Sequence, residues 1–110
     1  LAELKVEYRS QFPTKIRTLE SAFQKEDWLK LADELHKLKG TGKTYGFPEV
    51  SSVCEALEDY CRLGHPQAEK IRPAFALFER MLAAWEKGEH FDLKQDPTAR
   101  EILQLGKERS

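Results

Sequence analysis

At 110 residues the chain is long enough for one domain, burying roughly two-thirds of its unfolded surface without metal or disulfide staples. Hydrophobic residues make up 40% and charged residues 34%, and the net charge of −1 provides neither a basic field for nucleic acid nor an acidic tail. No stretch approaches the ~20 apolar residues of a membrane helix, and no signal-peptide pattern opens the chain, so direct membrane contact is not expected.

The first residue is Leu1 and not Met, so the chain is expected to be a piece of a longer protein. A membrane anchor elsewhere in that parent stays open. The two cysteines, Cys54 and Cys61, stand seven residues apart in one predicted helix. At ~1.5 Å rise per residue that is about 10 Å, beyond the ~7 Å a disulfide spans. Both read as small core hydrophobes in a reducing, cytoplasmic setting. Zinc held by Cys54, Cys61, His65 and His36 fits no common ligand spacing.

In chain order, Leu4, Tyr8, Phe12, Ile16, Leu19 and Phe23 recur every three or four residues and predict a first amphipathic helix. Pro13 lies within it and predicts a kink or two abutting helices. Asp27 is the expected N-cap of a second helix carrying Trp28, Leu31, Leu35, Leu38 and Tyr45 on one face. Phe47-Pro48 closes that helix, and Pro48 suits the first turn of a third with Val50, Val53, Cys54, Leu57 and Cys61 inward. After Gly64, Pro66 is expected to open a fourth helix bearing Ile71, Phe75, Phe78, Leu82 and Trp85, bent near Pro73 and ended by Gly88. Asp96-Pro97 predicts a brief further helix to about Leu105.

No segment has strand period or an internal repeat. The expected fold is all-α: an antiparallel up-down four-helix bundle with a short extra C-terminal helix. The bundle core is expected over about 4–88, with 89–110 as an extension or linker remnant of a single domain. Such a closed bundle is expected to be a monomer.

Chemistry concentrates on the second helix. With His36 at zero and about 100° per residue, Leu31, Leu35, Leu38 and Gly42 cluster between roughly 200° and 260°, the core side. His36 faces solvent, with Lys39 and Lys43 at about −60° and −20°, and Ala32 and Gly40 about 40° to either side. Neutral imidazole is a nucleophile near pH 7, and phosphoryl transfer needs little beyond positioning and charge. Lys39 and Lys43 can supply positive charge, while Ala32 and Gly40 leave room for another protein to close over the ring. By itself, a surface histidine among lysines is only a solvated face. His65, at a helix start, and His90, in a polar connector, read as loop residues.

Leu35-His36-Lys37-Leu38-Lys39-Gly40-Thr41-Gly42, then Tyr45-Gly46-Phe47, then Val53-Cys54-Glu55-Ala56-Leu57-Glu58 resembles the histidine-containing phosphotransfer (HPt) domains of phosphorelays. The shared pattern is H-x-L-K-G, a glycine ten residues after the histidine, and a helix with a Leu-Glu pair. The resemblance implies that His36 is phosphorylated on Nε2, that Lys39 stabilises the phosphoryl group and that Gly40 admits the partner. It also implies that Glu58 hydrogen-bonds the other ring nitrogen and holds the reactive tautomer. Lys43 occupies a position often small in the family, so its role there is charge or partner choice. The implied partners are response-regulator receiver domains, together with a histidine kinase core or hybrid kinase. The receiver would bring the aspartate and a divalent metal, Mg²⁺.

This chain itself has no Gly-rich nucleotide loop, so the expectation is a phosphocarrier without an ATP site, cofactor or metal of its own. One rival is a non-phosphorylated helical docking module. A sensor-kinase histidine domain would place an acidic residue after the histidine, where this chain has Lys37.

Overall fold

The computed structural model describes residues 2–107. Among them are α1 (Ala2–Gln24), α2 (Trp28–Thr44), α3 (Pro48–Cys61), α4 (Ala68–Ile71), α5 (Pro73–Glu86), a 3-10 turn (Leu93–Gln95) and α6 (Pro97–Leu105), with no strand. α1, α2, α3 and the α4–α5 pair form the four rods of the bundle, and α6 packs on both α3 and α5.

Ring contacts fix the antiparallel order. Tyr8, early in α1, stacks on Tyr45 just past the end of α2, and Phe12 meets Trp85 at the end of α5. At the opposite pole Phe23 packs on Trp28 and on Phe75, the starts of α2 and α5. Between these aromatic poles, Leu19, Leu31, Leu35, Val53, Leu57, Leu77 and Met81 are fully enclosed. Cys54 and Cys61 are free thiols buried in this core, and desolvation pushes both thiols up, Cys61 to about 12.

α1 runs unbroken through Pro13, so two abutting helices are not formed. Pro13 forfeits only its own backbone donor, a loss the buried stripe from Phe12 to Phe23 outweighs. Leu4, expected on that stripe, is instead 43% exposed. Asp27 caps α2 as expected, its side chain accepting from the Lys30 N–H at 3.2 Å. α2 stops at Thr44, leaving Tyr45 as the C-cap and Gly46 in the left-handed region at φ 88°. Pro66 does not open a helix. Residues 65–67 lie outside any helix, with Gln67 extended and tied by a bond from its N–H to the Tyr60 hydroxyl, and the helix starts at Ala68. Arg72, in helical geometry, then links α4 to α5 where Pro73 begins a new first turn.

The C-terminal segment is part of the fold and not a linker remnant. Asp96 caps α6 through the Ala99 N–H at 2.9 Å and accepts a two-pronged bond from Arg80 of α5. Ala99, Ile102 and Leu105 are buried, and Gly106 lies so close to Ala56 that a Cβ would come within 2.7 Å of its Cα. No helix among the described residues is long and apolar enough to cross a membrane.

Candidate functional site

The site forms between α2 and α3, which pack along each other. Gly42 is buried on α2, and a Cβ there would meet Ser51 Oγ at 3.0 Å and Val50 Cβ at 3.1 Å. Lacking that atom, the helices close, and the Ser51 hydroxyl bonds to the Lys39 carbonyl. Antiparallel packing then brings Glu58 of α3 against His36 of α2, 22 positions apart in the chain.

Glu58 is buried, its side chain only 8% exposed, whereas that of His36 is 61% exposed. The carboxylate faces His36 Nδ1 at 3.1 and 3.2 Å through its two oxygens. A carboxylate accepts, so in the neutral ring Nδ1 carries the proton and Nε2 keeps its lone pair. Arg62 Nε donates to Glu58 Oε2 at 2.9 Å, and Lys39 Nζ lies 3.4 Å from Oε1. Arg62 in turn reaches Asp33 Oδ1 at 3.1 Å. An isolated buried carboxylate is costly, so this one is met from three sides. Burial alone would raise its pKa, but bonds from Arg62, His36 and Lys39 outweigh burial and hold it below the ordinary carboxylate value.

Four of the six site residues expected from sequence thus share one surface: His36, Lys39 and Glu58 in contact, and Gly40 exposed one turn on. A Cβ added at Gly40 would meet nothing within 4 Å, so the surface there is open. Lys43 is exposed on the same stripe but about 10 Å farther along the axis, outside the contacts that join His36, Lys39 and Glu58. Ala32 corrects the expectation. It is fully buried, because its side of the stripe, shared with Lys39, turns toward α3 whereas Gly40 turns outward. A docking partner cannot touch Ala32.

Arg62 and Asp33 escaped the sequence reading. The signal was there: Glu58 and Arg62 are four apart on one helix, the spacing at which opposite charges meet. His65 and His90 are exposed in connections, away from this cluster. No three His, Cys, Asp or Glu side chains gather as a metal ligand set among the described residues.

Fold and site together define a helical bundle that presents one nucleophilic nitrogen to solvent while a buried carboxylate holds the other. The chain belongs to the Hpt domain family, whose model matches residues 3–88, more than three-quarters of its length. It is a histidine phosphotransfer module of phosphorelays, a phosphocarrier and not a kinase, and Hpt domains work with receiver domains. The match ends at Gly88, leaving α6 outside it. No curated protein and no solved structure matches the sequence.

Proposed function

We propose that His36 Nε2 is the phosphoacceptor of this module, loaded by a receiver aspartyl phosphate or a kinase core and unloaded onto the aspartate of a second receiver. The observation that carries this reading is the bond of Nδ1 to buried Glu58, which leaves Nε2 as the free nucleophile on an exposed ring.

In loading from a receiver, the Nε2 lone pair attacks phosphorus, the acyl-phosphate P–O bond breaks, and the receiver's carboxylate leaves with the electron pair. The ring keeps its Nδ1 proton and becomes cationic, and Glu58, already ionised beside it, balances that charge. No proton has to move before the P–N bond forms. In unloading, the receiver aspartate attacks phosphorus and the neutral, correctly protonated imidazole is the leaving group.

Before loading, the fixed charges near the ring balance, with Glu58 and Asp33 against Lys39 and Arg62. The incoming phosphoryl group makes the site anionic, and Lys39, held to Glu58 by a long contact, is the cation in reach. Lys43 adds positive potential at the edge of the docking face. Gly40 provides clearance for the receiver. The divalent metal, Mg²⁺, is the receiver's, and the module works as a cytoplasmic monomer.

Incubation with a panel of phosphorylated receiver domains tests this. The expected label is acid-labile and alkali-stable, as for a phosphoramidate, and is lost in His36→Gln while melting is unchanged. Acid-stable label, or label persisting in His36→Gln, would refute the assignment. Absence of label from every donor would leave the docking module.

A further inference from the structure

Leu29 is the most exposed large apolar side chain among the described residues, at 71%. One exposed leucine is ordinary, but the position of this one is not. It precedes His36 by two helical turns, about 20° around α2 and about 10 Å along it, so both lie on one outward stripe. Leu29 also edges an open hollow of about 600 Å³, walled by Trp28 on its own side and by Cys61, Arg62 and Gly64 across from it, with Asp27 on the rim. Leu63, next to Arg62, is a further exposed apolar side chain at that end of α3.

Arg62 joins the hollow to the imidazole. The residue that walls the hollow bonds Asp33 at 3.1 Å and the Glu58 carboxylate at 2.9 Å. A body covering His36 and extending toward the start of α2 therefore meets an apolar side chain and a concavity. In the other direction it meets Gly40 and Lys43, and no large apolar side chain is exposed on that part of the stripe.

Resting on the function proposed above, we propose that the receiver domain docks off-centre, displaced from His36 toward the α1–α2 turn, seating an apolar side chain against Leu29 in this hollow. Glu26 and Asp27 at its rim suit a basic group beside that side chain. The receiver is the occupant because each transfer requires it over His36, and the hollow continues that covered face. A second copy there would shield the ring instead.

The test uses the receiver domain, out of a panel, that loads the wild-type chain fastest, charged with acetyl phosphate and Mg²⁺. Leu29→Lys is expected to raise the KM for that receiver on the order of tenfold, the scale of a lost leucine contact, with kcat little changed. Labelling by phosphoramidate, which needs no docking, should proceed at the wild-type rate. Val6→Lys is the control for an added surface charge, being 54% exposed on α1. It lies roughly 30 Å along that helix from the hollow. An unchanged KM in Leu29→Lys, with wild type labelled on His36, would overturn the docking geometry and leave the function standing. A dimer that Leu29→Lys abolishes without changing KM would assign the hollow to a second copy. Wild type that takes no label from phosphoramidate or receiver would overturn both.

Discussion

His36 on α2 and Arg62 at the C-cap of α3 share one carboxylate oxygen: Glu58 Oε2 lies 3.1 Å from the imidazole Nδ1 and 2.9 Å from the guanidinium Nε. The ring is thus oriented by a carboxylate that is itself held in place. Replacing Glu58 by Ala is expected to slow transfer about 10–100-fold, the usual cost of losing an orienting partner behind a reactive histidine. Transfer rates over a range of receiver concentrations check this, and a rate equal to wild type would show that the bond orients nothing that matters.

Arg62→Ala should act through the same oxygen. The expected loss is on the order of tenfold in rate, with Arg62→Lys recovering part of it. Because Arg62 works through Glu58, the double variant should be hardly slower than Glu58→Ala alone, whereas independent roles would multiply. Nitrogen-15 shifts of the imidazole provide a readout that a purely structural role would leave unmoved. In Arg62→Ala the population protonated on Nε2 should rise.

Acid should separate wild type from Glu58→Gln in a defined direction. Burial raises the Glu58 pKa, but bonds from Arg62, His36 and Lys39 bring it below the ordinary value. A lowered folded pKa means that the stabilisation is complete above the ordinary carboxylate range and is lost as pH falls through the folded value. The wild-type advantage in Tm over Glu58→Gln should hold at about pH 7 and shrink below about pH 4. An advantage that grew on acidification would mean that the carboxyl is protonated in the fold.

Gly40 separates packing from function. A Cβ there meets nothing, and glycine inside a helix costs several tenths of a kcal/mol or more against glutamine. Gly40→Gln should therefore melt at or above the wild-type temperature. The longer side chain would stand one turn from the ring, in space that a receiver docked over His36 would need, and misplacement by an ångström can cost on the order of 100-fold in rate. Small phosphodonors should label the variant better than receivers do. Melting curves and receiver-dependent transfer on one preparation check both halves.

The C-terminal helix makes the converse prediction. At Gly106 a Cβ would press on the Ala56 backbone, so Gly106→Ala should destabilise by about 1–3 kcal/mol, as overpacking does. Transfer per folded molecule should stay at wild type. Urea unfolding with an unchanged m-value measures the first, and single-turnover transfer the second.

The helices were legible because apolar residues recur at helical spacing and Asp27, Pro48 and Asp96 mark their starts. His36 was legible as an outward residue for the same reason. What a wheel cannot supply is the azimuth of the neighbouring helix. Ala32 and Gly40 lie symmetrically about His36 on the wheel, yet α3 covers one and not the other. Glu58 came from a family register, since periodicity on α3 says nothing about which α2 residue it will face. Arg62 follows from Glu58 by helical spacing, but only once Glu58 is known to need a cation. Pro66 misled because proline suits a helix start and an extended turn equally, and the bond from the Gln67 N–H to Tyr60 decided for the latter.

The most direct test of the central claim is nitrogen-15 and phosphorus-31 NMR on the receiver-loaded chain, which identifies the phosphorylated nitrogen. The account predicts one phosphohistidine, at His36, with phosphorus coupled to Nε2 and a proton retained on Nδ1 beside Glu58. Phosphorus coupled to Nδ1, or carried by any other residue, would contradict it.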